Sequence, residues 1–492
     1  MHAQYRSEKL YGTSLALLTD LYELTMAYGY WKKGMEKKRS VFHLFFRKKP
    51  FKGEYAIAAG LETLVEYIQH LHFTDSDIAY LQMLRDSEGN PLFEEAFLAY
   101  LQNFSFTCDI DAVLEGTVVF PYEPFVRVTG PILQAQLLES VILNIMNFQT
   151  LIATKASRVC FAAGADPVVE FGLRRAQGVD GGMSASRAAY IGGCESTSNV
   201  LAGKFYDIPV KGTHAHSWIM AFDDELSAFY AYSDVLPYQC IFLVDTYDSV
   251  AGTRNAIRVA HDLRKKGIEM AGIRLDSGDL SQLSIEIRKL LDDAGFPKAK
   301  IMASNELDEF LLRDLKHQGA KIDIWGVGTN LVTGKDQPAL DGVYKLSALE
   351  DGQGKWLYKV KISEQWAKMT NPGILQVRRY YSKEGFLCDM IYDVELKEGS
   401  SHFLDPFDPV KVLHPSSDWQ YEDLLVPIMR QGELVYQFPS LQQVRSHASQ
   451  QLQKLSSATR RFLNPQTYVV GLEKSLYELK LQLIKEVKNK IG

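Results

Sequence analysis

Short apolar runs, each ending in a polar cluster, recur through the middle third of the chain. Residues 167–170 lead into Phe171-Gly172-Leu173-Arg174-Arg175, and 208–210 into Lys211-Gly212-Thr213-His214-Ala215-His216-Ser217. Residues 240–244 run into Asp245-Thr246-Tyr247-Asp248, and 270–273 into Arg274-Leu275-Asp276-Ser277-Gly278-Asp279. Residues 301–303 precede Ser304-Asn305-Glu306, and 322–325 precede Gly326-Val327-Gly328-Thr329-Asn330. From Asp245 to Asp276, and again from Asp276 to Ser304, the interval is about 30 residues, the length of one βαβ step. Stretches of helical period fill the intervals. Residues 252–266 carry Ile257, Ala260 and Leu263 on one stripe, and 280–294 carry Leu283, Ile287, Leu290 and Leu291. Residues 306–318 carry Leu307, Phe310, Leu311 and Leu315 and stop at Gly319. The pattern predicts buried parallel strands alternating with helices, with the chemistry gathered at the C-terminal strand ends. Periodicity alone does not separate a barrel from a doubly wound sheet; the expectation taken forward is a (β/α) barrel.

The flanking segments have another texture. Residues 15–31, 61–71 and 77–87 read as helices, 113–133 turn strand-like, and 137–158 form a long helix leading into the first strand. After Asn330 come short strands at 343–346, 357–361 and 377–381, then a helix over 472–490.

At 492 residues the chain exceeds a single core, so two or three domains are expected. With 46% hydrophobic and 23% charged residues the composition is that of an ordinary globular protein rather than a disordered one. A net charge of −6 speaks against general nucleic-acid binding. No run of about 18 apolar residues predicts a membrane span, and the first eight residues lack the layout of a signal peptide. The five cysteines are scattered and form no C-x-x-C pair, which points to a reduced, cytoplasmic protein without a disulfide framework or cysteine zinc site.

Asp245, Asp248, Asp276 and Asp279, with Arg274 among them, bring carboxylates and a guanidinium to neighbouring strand ends. Such carboxylates hold Mg²⁺ or accept from ribose hydroxyls, and a guanidinium grips phosphate bidentately. Helix capping is the plainer reading of Asp248, Ser277 and Asp279, and chemistry that of Asp245, Arg274 and Asp276. Gly326 and Gly328 leave room for backbone N–H groups beside a phosphate, although a plain βα turn explains them equally. Of His214 and His216, one is expected to face the site and the other to be structural. Phe171 beside Arg174 and Arg175 suits an aromatic anion or a pyrophosphate.

Together with Thr19–Met26 written as TDLYELTM, the run GGCESTSNVLAG over 192–203, Lys361-Ile362-Ser363-Glu364 and Pro372-Gly373, these clusters resemble the nicotinate phosphoribosyltransferases in the family's order. The resemblance implies transfer of phosphoribosyl from phosphoribosyl pyrophosphate to nicotinate, coupled to ATP hydrolysis, in NAD biosynthesis. It implies an irregular α/β barrel of the type II phosphoribosyltransferase kind over 139–345. Beside it stands an α+β domain over 1–138, completed by 346–492. A Mg²⁺ requirement is implied, with Asp245 and Asp276 near ribose, pyrophosphate and metal. So is a homodimer in which Tyr22 reaches the partner's site and stacks on the pyridine opposite Phe171. Arg174 and Arg274 correspond to ligands of phosphate and substrate carboxylate, and Thr197 and Ser198 to hydroxyls suited to a carboxylate. Gly326, Gly328 and Thr329 correspond to the cradle of the 5′-phosphate, and His216 to the histidine phosphorylated by ATP.

Two related enzymes and one other class stand as alternatives. Nicotinamide phosphoribosyltransferase places a carboxylate against its substrate amide, where this chain reads Glu195-Ser196-Thr197-Ser198. Quinolinate phosphoribosyltransferase is a shorter, decarboxylating enzyme. A non-catalytic pyridine-nucleotide sensor is expected to have lost some of the charged positions retained here.

Overall fold

The computed structural model describes residues 14–396 and 402–491. The N-terminal eight residues considered above for a signal peptide lie outside the described residues. The chain divides into two compact units, one from residues up to Leu151 and from Ala339 onward, the other Ile152–Pro338. The division differs from the expected borders at 138/139 and 345/346. The first turns of the helix Glu139–Ala163 bury Val141, Ile142 and Met146 in the first unit's core. Strand Gly342–Glu350 pairs there with Arg39–Phe46.

The first unit holds two large sheets. In one, Trp356–Tyr358, Gly342–Glu350, Arg39–Phe46, Val126–Pro131, Asp109–Val113, Leu425–Arg430 and Glu433–Leu434 lie side by side, all antiparallel. The other is six-stranded and built only from residues after 374, with Leu375–Ser382 and Gly385–Asp393 as its central hairpin. Phe42, Leu44, Phe46, Val126 and Val128 share one apolar core, and the Phe42 and Tyr344 rings stack at 4.9 Å. Helices Leu21–Lys32, Asp75–Met83 and Glu95–Gln102 pack around Phe97, whose side chain is fully buried.

The second unit carries six parallel strands: β1 (Val168–Glu170), β2 (Ser196–Thr197), β3 (Ile241–Leu243), β4 (Gly272–Leu275), β5 (Lys300–Ala303) and β6 (Ile324–Val327). Their order is β2-β1-β6-β5-β4-β3, so the last strand pairs with the first. Val169, Phe242, Ile273, Ile301 and Val327 are buried, as strands covered on both faces require. The expected closed barrel is not what the backbone pairing gives. The run 208–210 makes a single bridge, Thr197 to Val210, because Pro209 has no N–H to donate, and the ladder stays open between Val210 and β3.

The helices that follow β3, β4 and β5 each start at an aspartate. Asp248 caps Ser249–Lys265, Asp279 caps Leu280–Asp293 and Asp308 caps Glu309–His317. Such a cap is worth about 1 kcal/mol. The capping reading holds for Asp248 and Asp279. It fails for Ser277, whose hydroxyl donates to Asp245 Oδ2 at 2.6 Å.

Candidate active site

Arg274 organises the C-terminal strand ends of the second unit. It lies within β4 rather than after it, and its guanidinium is largely buried. It donates from Nε to Ser304 Oγ at 2.8 Å, from Nη1 to Thr213 Oγ1 at 3.0 Å and from Nη2 to Asp276 Oδ1 at 2.9 Å. Its guanidinium carbon stands 5.4 Å from the centre of the Phe171 ring. Three strand ends and one loop are thus tied to one cation.

Ser304 also donates to Asp276 Oδ1. Burial works against the Asp276 carboxylate, but the Ser304 hydroxyl and the Arg274 guanidinium outweigh it and hold its pKa below the usual range. The carboxylate stays ionised at neutral pH, and its pairing with Arg274 is lost only as pH falls through that lowered value. Asp245 Oδ2 accepts from the Asp276 backbone at 2.9 Å and from Ser277, while Oδ1 is buried and makes no hydrogen bond. His216 opens the short helix His216–Met220. Its Nδ1 lies 3.2 Å from Thr246 Oγ1 and its Nε2 3.7 Å from Asp276 Oδ2. His214 is the inward histidine, accepting at Nε2 from the Leu243 N–H at 3.2 Å.

The expected residues therefore fall into groups. His216, Asp245, Arg274, Asp276 and Phe171 come together. Arg174 stands exposed on the turn Leu173–Arg175 and makes no ion pair among the described residues. Tyr22 belongs to the first unit, with its ring exposed on helix Leu21–Lys32. Thr197 is buried, and its hydroxyl donates to Glu170 Oε2 at 2.6 Å. Ser186 donates to the same oxygen at 2.9 Å, and the Gly172 N–H to the other. Thr197 is thus committed to the buried Glu170, whereas half-buried Ser198 is bound, among the described residues, through its backbone N–H to the Glu170 carbonyl at 2.9 Å. A β-carbon at Gly326 would lie 2.8 Å from the Phe171 ring, so that glycine makes room for the ring rather than for an anion. Gly328 precedes the one-turn helix Thr329–Val332, where Thr329 is half-buried.

Ser304, Thr213 and Thr246 had no role assigned from the sequence, and Ser277 was read there as a cap. Each follows an apolar run, which is the signal they shared with the assigned residues.

Among the described residues no group of three His, Cys, Asp or Glu side chains forms a ready metal cage. The unpartnered Asp245 Oδ1 does fit a single carboxylate contact to Mg²⁺, an ion that keeps waters and takes its remaining ligands from phosphate oxygens.

Residues 17–147 match the nicotinate phosphoribosyltransferase (NAPRTase) N-terminal domain, and residues 375–480 the C-terminal domain of the same family. The chain is 44% identical over 487 residues to nicotinate phosphoribosyltransferase of Bacillus subtilis, covering 97% of each. The crystal structure of human nicotinic acid phosphoribosyltransferase superposes with a TM-score of 0.82 at 32% identity, over 94% of this chain and 99% of that one. A nicotinate-nucleotide pyrophosphorylase from Pyrococcus furiosus shares the fold, with a TM-score of 0.69 at 23% identity. The family models and the full-length relatives define an enzyme of the phosphoribosyltransferase class. Within that class, the chain belongs to the nicotinate phosphoribosyltransferase family.

Proposed function

We propose that this enzyme couples phosphoribosyl transfer to ATP through His216 and performs the transfer at the Arg274–Asp276 cluster. Its reaction belongs to NAD salvage: nicotinate and phosphoribosyl pyrophosphate give nicotinate mononucleotide and pyrophosphate. The pyridine nitrogen brings its own lone pair, so a bond from it to C1′ forms as the C1′–oxygen bond to pyrophosphate breaks, and no general base is needed. The demand is for charge: positive on the ribose as it flattens, negative on the departing pyrophosphate. The observation that carries the reading is one guanidinium and two carboxylates held at adjoining strand ends by hydroxyls.

In this reading Asp245 and Asp276 face the ribose side, and Arg274 and Arg174 divide the phosphate and the nicotinate carboxylate. Phe171 offers one face to the pyridine, Ser198 lies beside its carboxylate, and the backbone around Gly328 and Thr329 receives the 5′-phosphate. Thr197 acts through Glu170, and Gly326 through the Phe171 ring. Mg²⁺, bound at Asp245 through its free oxygen, would neutralise pyrophosphate charge. The active form is a cytoplasmic homodimer, with Tyr22 offered to the partner's site. No disulfide joins any of the five cysteines, in keeping with a reducing compartment, and among the described residues no helix is long and apolar enough to cross a membrane. The open sheet is read as an irregular barrel in which the β6–β1 pairing wraps the strands round.

Coupling takes place at the imidazole of His216. A ring nitrogen forms a bond to the γ-phosphorus of ATP as the bond to the ADP oxygen breaks, and water later cleaves the phosphohistidine. Replacing His216 by alanine is expected to abolish both the ATP stimulation and the accompanying ATP hydrolysis, leaving slow uncoupled transfer. Undiminished ATP stimulation in that variant would remove His216 from the mechanism. The reading as a whole is tested by product formation with Mg²⁺ from nicotinate or nicotinamide, each with and without ATP. Faster formation of nicotinate mononucleotide with ATP is expected. Preferential turnover of nicotinamide would overturn the acid specificity.

A further inference from the structure

The gap in the second unit's ladder is bridged by a side chain. At either end of β3, the Cys240 carbonyl accepts from the Gly272 N–H and the Val244 N–H donates to the Arg274 carbonyl, so this strand is paired with β4 along one edge. The Leu243 N–H points to the other edge, where no strand follows, although Leu243 is only 1% exposed. Left without a partner, a buried N–H loses its hydration with nothing in return. His214 Nε2 accepts from it at 3.2 Å. The ring is held edge-on to Tyr232, with centroids 4.8 Å apart, and also lies near Phe229, both from helix Glu225–Val235. Burial, with Arg274 and His216 close by, lowers its pKa to about 4, so the ring is neutral at physiological pH. A neutral ring that accepts at Nε2 carries its proton on Nδ1, which faces the Ala215 carbonyl at 3.5 Å.

The neighbours of His214 give this bond its consequence. Thr213 receives Arg274 Nη1, and His216 meets Thr246 and Asp276. A loop without sheet pairing thus delivers two groups to the cluster, and its fixed point is the residue between them.

We propose that His214 is a positioning residue for phosphoribosyl transfer, its imidazole standing in for the missing strand and fixing Thr213 and His216 around Arg274 and Asp276. The inference rests on the reading of that cluster as the active site. Two variants separate its parts. His214→Phe keeps a ring against Tyr232 but removes the acceptor, and His214→Gln supplies a carbonyl that can accept from Leu243. Amide hydrogen exchange at Leu243 and steady-state kinetics are measured on full-length protein, well below each variant's Tm. The Phe variant should show exchange at Leu243 accelerated at least tenfold and kcat lowered at least tenfold, with KM for nicotinate within threefold of wild type. The Gln variant should regain the protection and bring kcat to within about threefold of wild type. Unchanged exchange in the Phe variant overturns the tether, whatever the activity. Restored protection in the Gln variant without restored kcat, or an unchanged kcat in the Phe variant, overturns the positioning role. Wild type without nicotinate turnover overturns the transferase reading and the positioning role with it, while the exchange result still decides whether the tether exists.

Discussion

Replacing Arg274 by alanine is expected to lower kcat/KM for phosphoribosyl pyrophosphate by about 10³, equivalent to about 4 kcal/mol of transition-state stabilisation. Two losses combine. The guanidinium itself disappears from the site proposed to stabilise separating charge. Ser304, Thr213 and Asp276 also lose the donor that sets their positions. Without Arg274 the Asp276 carboxyl titrates higher, because a main opponent of its burial is gone. Arg274→Lys keeps the charge but not the fork, since one ammonium cannot meet three partners in three directions, so a loss of about 10² is expected. Steady-state kinetics with the pyrophosphate substrate varied decides the matter. Activity within tenfold of wild type in the alanine variant would mean that the charge centre lies elsewhere.

The second large effect falls on stability. Glu309 is fully buried at the start of its helix and meets Lys155 Nζ at 2.6 Å and Arg158 Nε at 2.8 Å, both from the long helix Glu139–Ala163. Burial works against the carboxylate, yet the two cations hold its pKa below the ordinary value. Glu309→Gln strands two buried cations beside a neutral amide and is expected to destabilise the second unit by about 3–5 kcal/mol. Urea unfolding followed by a probe in residues 152–338 measures it. The triple variant Glu309→Leu, Lys155→Met, Arg158→Met removes all three charges together and is expected to recover most of that loss. If the single variant matches wild type, the triad has no role in holding this unit together.

The alternation of strand and helix in the second unit was legible in the sequence because each helix shows a clean stripe and an aspartate cap. The strand ends were not placed as well. Runs expected at 270–273 and 322–325 are found at Gly272–Leu275 and Ile324–Val327. Apolarity stops at Arg274 and Gly326, but pairing continues through both, since the arginine is satisfied by hydroxyls and the glycine gives way to an aromatic ring. Strand Ser196–Thr197 was missed for a related reason: two residues after a pair of glycines carry no periodicity, and only their neighbours define them. At the site, residue types marked out the acids and Arg274 as candidates, while only the family resemblance chose His216 over His214. The hydroxyl groups around them stayed hidden, as nothing in a serine's or threonine's own surroundings separates a brace from a cap. The inward turn of Thr197 depends on Glu170, a contact between strands.

The discontinuous first unit sets an order on the making of the protein. Strand Arg39–Phe46 finds Val126–Pro131 early, but its other neighbour, Gly342–Glu350, follows only after the whole of Ile152–Pro338. Asp109–Val113 likewise awaits Leu425–Arg430. At a synthesis rate of about 5–20 residues per second, the interval is on the order of tens of seconds. The half-built sheet leaves the ribosome with two raw edges while the second unit emerges complete behind it. A nascent chain stalled in the later segment would therefore carry a finished parallel sheet while two antiparallel edges remain open to aggregation.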